Sequence, residues 1–245
     1  MGKVVVVTGA GDGLGRALAR RLAADGDTVV LLGRTLSKVQ AVADELGAPH
    51  FAVECDVGDP DKVRAAFGAI AQRHPKIDVL INNAGIFEPF TLAEASDAQV
   101  LGALTTNMAG PIFCARAALP LFGGSGHIIN VTSESVHVKM PMLWMYAGTK
   151  TGLEFISDMW SRELESAGVR VTVIRAGQMM DETKTGTNWP MEVAMRFAQE
   201  NAKVGLNLRE RPISHYKSVT DAFRAVLDMP ADLHVGMVTL SGSKR

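Results

Sequence analysis

Short runs of aliphatic and β-branched residues alternate with longer amphipathic stretches along the whole chain, and this alternation leaves few folds open. The runs Val4–Val7, Thr28–Leu32, Phe51–Glu54, Val79–Ile81, His127–Val131, Val169–Ile174 and Met237–Leu240 read as strands. Between them, apolar residues recur at spacings of three and four, as in Leu14, Leu18 and Leu22 or Val63, Phe67 and Ile70, which gives a helix one stripe to lay on a sheet. The pattern predicts an α/β fold, a doubly wound, parallel, seven-stranded sheet of the Rossmann type with helices on both faces. No repeat, linker or low-complexity tract interrupts it, so residues 1–245 are expected to form one domain. In such a sheet ligands bind at the carboxyl ends of the strands, where the strand order reverses.

Composition narrows the function classes. With 25 Lys and Arg against 26 Asp and Glu, the formal net charge of -1 provides no positive field to collect nucleic acid. Cys55 and Cys114 have neither C-x-x-C nor metal-ligand spacing, so no disulfide or metal site is expected and a reducing, cytoplasmic setting fits. Met1-Gly2-Lys3 runs straight into Val4 without a signal h-region, and no apolar run approaches the ~20 residues of a membrane span. No membrane partner is expected.

Directly after the first strand stands Thr8-Gly9-Ala10-Gly11-Asp12-Gly13-Leu14-Gly15, opening a helical pattern. A strand that turns sharply into a helix aims unpaired N–H groups and the positive end of the helix dipole at one point, where side-chain-free positions let a pyrophosphate approach. By itself the run fits either a dinucleotide site or a ligand-free turn. The second strand ends in Gly33-Arg34. A carboxylate there would accept from both ribose hydroxyls and repel a 2'-phosphate, whereas Arg34 offers that phosphate a charge-assisted fork, or else simply caps a strand at the surface.

Tyr146 and Lys150 are four residues apart in a helical stretch and so share one face. A free phenol, with a pKa of about 10, is a poor base near neutrality, but a nearby ammonium favours phenolate and lets tyrosine exchange a proton with an alcohol or ketone oxygen. Ser133 follows the fifth strand, thirteen positions before Tyr146, and Asn107 is a polar residue in a mostly apolar helix.

These marks, in this order, resemble the short-chain dehydrogenase/reductase family over nearly the whole length, and its compact branch rather than the extended one, which would place a glycine where Asp12 stands. The resemblance implies that Asn107, Ser133, Tyr146 and Lys150 form a catalytic tetrad. In it the serine orients the substrate oxygen, the cationic nicotinamide further favours phenolate, and the asparagine orders a water that links Lys150 to solvent. It further implies a dinucleotide held by Thr8, Gly9, Gly13, Leu14, Gly15, Asp56, Val57, Asn83, Ala84, Gly85, Tyr146, Lys150 and Gly177. With Arg34 at the ribose, NADP(H) is expected over NAD(H), although relatives that prefer NADP often carry a base where Asp12 stands.

The expected reaction interconverts a ketone and a secondary alcohol. Alternatives are a β-ketoacyl carrier-protein reductase, against which the absence of a cluster of Arg and Lys counts, and a nucleotide-sensing protein without turnover, against which the complete tetrad counts. Two positions depart from the family pattern: Ala176 stands for its proline and Asp181 for its threonine, with Thr183 available as a substitute. Arg175 reads as a locally paired residue rather than an anion hook, and His137 as a surface residue. Residues 178–214 show no strand pattern and read as a lid with a helix near Met191, whose face Met191, Ala194, Met195 and Ala198 would form. Ser133, Met142, Met179, Met180 and Trp189, with Trp144, would line a substrate pocket for a bulky, hydrophobic carbonyl compound, or simply pack the lid on the body. Finally, the helix around Asn107 (Leu101, Leu104, Met108, Ile112, Phe113, Leu119) and the one after Tyr146 (Leu153, Phe155, Ile156, Met159, Trp160, Leu164) carry more apolar surface than one sheet face buries. Such surplus predicts a homodimer or homotetramer, built, by the resemblance, on a four-helix bundle.

Overall fold

A computed structural model of the chain describes residues 2–183, 186–230 and 232–243. Seven parallel strands, β1 (Val4–Thr8), β2 (Thr28–Gly33), β3 (Phe51–Glu54), β4 (Val79–Asn82), β5 (Gly126–Ser133), β6 (Val169–Ala176) and β9 (Met237–Leu240), form one sheet in the order β3-β2-β1-β4-β5-β6-β9. The order reverses between β1 and β4, so a cleft opens there at the carboxyl ends. β1 shows why the runs lack polar alternation: Val5 and Val7 enter one apolar layer and Val6 the other, because both faces are covered. One layer takes Leu18 and Leu22 of α1 (Gly13–Ala24), Val39 of α2 (Leu36–Leu46) and Phe223 of α8 (Tyr216–Leu227). The other takes Phe67 and Ile70 of α3 (Pro60–Arg73) and Cys114 of α5 (Gly110–Ala118).

Several strands run past the apolar stretches to polar ends, Thr8, Asn82 and Ser133, because the ladder continues where the hydrophobic pattern stops. The helix around Asn107 is not continuous. α4 (Asp97–Leu104) and α5 are joined by a π-helical turn, Thr105–Ala109, in which Gly110 N donates to Thr105 O. The cause is local: Pro111 has no N–H for the Asn107 carbonyl and its ring would clash with that group, so the turn widens. Close packing then fixes α6 (Trp144–Glu163) against this turn, since a Cβ on Gly152 would lie 2.8 Å from Met108 Sδ.

The stretch after β6 corrects two expectations. It does contain strand: β7 (Met179–Met180) pairs with β8 (Ser214–His215), closing the base of the segment. In α7 (Met191–Lys203) the docking positions are Phe197 and Asn201, while Met191 and Met195 face outward. Phe197 packs on Met142 and Leu143, and Asn201 Nδ2 donates to Pro141 O at 3.4 Å, so the helix is rotated relative to its methionine stripe. Residues 184 and 185 of the expected lid lie outside the described residues. Among the described residues, no helix is long and apolar enough to cross a membrane.

Candidate active site

At the head of α1, Gly9 and Gly13 adopt φ of 66° and 50°, and a Cβ on Gly15 would overlap the Gly9 carbonyl oxygen. Those glycines let the first turn of α1 close onto β1 with its N–H groups facing the cleft. Asp12 is the N-cap of α1, its Oδ1 accepting from Gly13 N at 2.7 Å, which gives this carboxylate a role at the helix end. Thr8 is buried with its hydroxyl fully occupied: Oγ1 donates to Ile81 O and accepts from Asn83 N and Ala84 N, both at 3.0 Å. Asn83 Nδ2 donates back to Thr8 O at 3.0 Å. Thr8 and Asn83 therefore stitch the ends of β1 and β4 together at the reversal point.

Arg34 is exposed just past β2 and makes no ion pair among the described residues. Asp56 stands at the same edge, its Oδ1 accepting from Gly58 N at 3.0 Å, with Val57 buried beside it. Gly177 follows β6 and donates from N to Leu240 O at 2.8 Å.

Ser133, Tyr146 and Lys150 converge on a cavity of about 440 Å³ beneath this edge. Burial raises the pKa of Tyr146, and its hydrogen bond with Ser133 acts in the opposite direction. Lys150, also buried, has its pKa lowered to about 8 by desolvation; its Nζ donates to Val131 O at 2.9 Å and lies 5.8 Å from the centre of the Tyr146 ring. Asn107 is fully buried beside them, with Oδ1 accepting from Ile86 N and Nδ2 donating to Ile86 O and Thr149 Oγ1. A Cβ on Gly85 would sit 3.4 Å from Asn107 Oδ1 and 3.5 Å from Lys150 Nζ, so this glycine is where the two groups approach each other.

Met179, Met180 and Trp189 line the cavity with Ser133. Met142 does not: it is buried in the packing under α7, and Met140 and Leu143 take its place in the wall. Trp144 also points elsewhere, donating from Nε1 to Phe90 O at 3.2 Å. Phe87 was not singled out by the sequence, yet its ring meets Tyr146 edge-on at 4.9 Å and Trp189 at 4.8 Å, and Trp189 Nε1 donates to Phe87 O at 2.9 Å. Its position two residues past Asn83-Ala84-Gly85 was the available signal. Phe197 continues the aromatic row at 5.3 Å from Trp189.

Arg175 is locally paired as expected, with Nε and Nη2 on the two Glu154 oxygens at 2.8 and 2.6 Å. His137 is exposed and outside the cavity wall. Ala176, in the place of a proline, continues β6 beside Leu240 of β9. Thr183 is engaged away from the pocket: its Oγ1 donates to Asp181 Oδ1 at 2.6 Å and accepts from Arg16 Nη2 at 2.8 Å. Among the described residues, no three His, Cys, Asp or Glu side chains come together as a metal site.

Known proteins share both sequence and architecture with this chain. The family described as short chain dehydrogenase matches residues 3–192. An uncharacterized oxidoreductase of Methylorubrum extorquens is 34% identical over 185 residues, covering 74% of this chain and 75% of its own. Another, from Staphylococcus epidermidis, is 29% identical with 97% and 96% covered. Among solved structures, a short-chain dehydrogenase from Streptomyces avermitilis superposes with a TM-score of 0.85 at 23% identity, covering 98% of this chain and 88% of its own. An alcohol dehydrogenase from Thermococcus sibiricus, complexed with 5-hydroxy-NADP, gives a TM-score of 0.81 at 25% identity, with 99% and 97% covered. A family match over most of the chain, carried on a seven-stranded sheet with these residues at its switch point, makes the protein an oxidoreductase of the short-chain dehydrogenase/reductase family.

Proposed function

We propose that the protein is an NADP(H)-dependent oxidoreductase that interconverts a ketone and a secondary alcohol on a hydrophobic substrate. The observation that carries this reading is the meeting of Ser133, Tyr146 and Lys150 at a largely apolar cavity. Residues 1–245 act in this reading as one catalytic domain, with 178–214 as its lid.

The glycine turn fits a pyrophosphate as a backbone-lined cradle: a Cβ on Gly15 would overlap the Gly9 carbonyl oxygen, so glycine there lets α1 start close against β1 and brings the helix N-terminus to the cleft. Gly9, Gly13, Leu14 and Gly15 would hold the phosphates, Asp56 and Val57 the adenine, and Ala84, Gly85 and Gly177 the nicotinamide half. Thr8 and Asn83 position that cradle from beneath. Arg34, exposed and without an ionic partner among the described residues, would take the 2'-phosphate; the solved Thermococcus sibiricus relative holds an NADP derivative. When bound, the nicotinamide supplies or accepts the hydride.

In the reducing direction, Tyr146 gives its proton to the carbonyl oxygen, and burial keeps the phenol protonated for that purpose. Ser133, hydrogen-bonded to Tyr146, holds the same oxygen in line. Lys150 places its charge under the phenol ring, with Val131 O fixing the ammonium, and steadies the phenolate that remains. Asn107 holds the Ile86 main chain beside this group.

The exposed faces of α4 and α6 carry Leu101, Leu104, Phe155 and Met159, with Phe155 71% exposed. They support a homodimer or homotetramer built on these helices. Cys55 and Cys114 are unpaired and buried, which agrees with a reducing, cytoplasmic setting. The test is a screen of uncharged ketones and secondary alcohols with both cofactors, alongside dinucleotide binding by fluorescence. Failure to bind either dinucleotide would overturn the reading; faster turnover with NADH than with NADPH would overturn the NADP(H) assignment.

A further inference from the structure

Successive turns of α6 take hold of β5 over the three residues just before Ser133. Ser157 Oγ accepts from Asn130 Nδ2 at 2.8 Å, Lys150 Nζ donates to Val131 O at 2.9 Å, and Glu154 Oε1 accepts from Thr132 Oγ1 at 2.7 Å. Spacings of four and three put Lys150, Glu154 and Ser157 on one stripe of the helix. Glu154 has the firmest grip of the three. Arg175 Nε donates to its Oε1 at 2.8 Å and Arg175 Nη2 to its Oε2 at 2.6 Å, and the two side chains are only 11% and 10% exposed. Thr132, Arg175 and Thr239 stand opposite one another on β5, β6 and β9, with Arg175 Nη1 donating to Thr239 Oγ1 at 3.4 Å. One carboxylate on α6 is thus tied to neighbouring strands at a single level of the sheet, one residue before Ser133.

Stability alone is a weak reason for this arrangement. Burying an ion pair strips water from both charges, and well-packed apolar residues of the same volume often serve as well or better. What an apolar contact lacks is direction. Leu153, buried on the same helix, tolerates small slides along the sheet, whereas a forked ion pair with a third donor is satisfied at one position only. α6 also carries Tyr146 and Lys150, whose approach to Ser133 depends on where the helix stands along β5. Glu154 lies one turn beyond Lys150, about 6 Å along the axis, so any slide it prevents would be passed directly to that pair.

We propose that Glu154 is a positioning residue for proton transfer: its grip on Thr132 and Arg175 sets the register of α6 on β5, and thereby the placing of Tyr146 and Lys150 against Ser133. This rests on the role given to Tyr146 in the ketone–alcohol reading above.

The chain has two tyrosines, Tyr146 and Tyr216, so fluorine NMR of protein labelled with 3-fluorotyrosine reports on each, with Tyr146→Phe giving the assignment. The triple variant Thr132→Val, Glu154→Met, Arg175→Met removes the grip without leaving a buried charge unpaired. Its melting temperature and NADPH binding are expected to stay close to those of the unmodified protein, while the Tyr146 resonance moves or splits and that of Tyr216 stays in place. Its kcat with NADPH and 4-phenyl-2-butanone is expected to fall at least ~10-fold with KM nearly unchanged. If the triple variant does not fold, Glu154→Asp carries the test: it keeps the charge beside Arg175 but shortens the arm by one carbon, and the same resonance and kcat are expected to change. A Tyr146 resonance that stays in place in the folded variant, or a kcat that holds while the resonance moves, overturns the positioning role and leaves the ketone reading standing. Turnover of no ketone by the unmodified protein overturns the ketone reading, and the resonance still decides whether Glu154 places Tyr146.

Discussion

Asn107 holds both main-chain polar groups of Ile86 at once, accepting from its N–H at 2.7 Å and donating to its carbonyl at 2.9 Å. This clamp fixes the strand exit that carries Phe87 onto the Tyr146 ring, and it exists because the π-helical turn before Pro111 swings the Asn107 side chain inward. Replacement by aspartate keeps the shape but sets an anionic acceptor against the Ile86 carbonyl. Asn107→Asp is expected to lower the melting temperature by several degrees and kcat by at least ~10-fold, reflecting the loss of a buried donor pair. Calorimetry and turnover in one preparation check this; normal values for both would show that the clamp does not matter.

Tyr146→Phe removes the proton donor while leaving the aromatic contact with Phe87 in place. Turnover should fall by at least the ~100-fold typical of losing a general acid, with dinucleotide affinity nearly unchanged. Near-normal turnover would sink the proposed proton transfer.

Arg34→Asp exchanges a phosphate-binding fork for a carboxylate that accepts from ribose hydroxyls. Preference should shift from NADPH towards NADH by at least ~100-fold in kcat/KM ratio, as fits the loss of a charge-assisted pair and the gain of a repulsion. An unchanged ratio would return Arg34 to an ordinary surface residue.

His127 links acid stability to the base of the sheet. Desolvation, helped by Arg170, His234 and Lys3, lowers its pKa to about 3, while Nε2 contacts Thr172 Oγ1 at 2.8 Å. The unfolded chain takes up this proton near pH 6.5 and the folded one does not. Stability from this group is therefore complete above pH 6.5 and is lost as pH falls towards 3, by a few kcal/mol in total, on the order of 4. Denaturant titrations of the unmodified protein and His127→Asn between pH 7 and 4 should converge as pH falls. Parallel curves would show that His127 is not the linked group.

Phe155 and Met159, 71% and 53% exposed on α6, are the proposed contact to a second copy. The double change Phe155→Glu and Met159→Lys should yield a species of one chain by light scattering with much reduced turnover, because Tyr146 and Lys150 sit on the same helix. An unmodified protein that is already a fully active single chain would contradict the proposed assembly.

Much of this architecture follows from local chemistry. The alternation of aliphatic runs and helical stripes specifies a covered parallel sheet, because only crossover helices bury both faces of strands such as β1. The glycines after Thr8 and the spacing of Ser133, Tyr146 and Lys150 are likewise legible, since strand ends and helical turns fix where those groups stand. The relations that depend on distant segments were not. Thr8 turned out to be a stitch to Asn83 because β4 lies beside β1, a neighbour 75 residues away that no local pattern names. Met142 left the pocket for the packing beneath α7, and α7 docked through Phe197 and Asn201, because its seat is the surface formed by Pro141, Met142 and Leu143 rather than a face its own periodicity could identify. The grip of Glu154 on Thr132 and Arg175 is of the same kind. Whether a buried polar group is satisfied depends on every element around it, and only the assembled chain decides that.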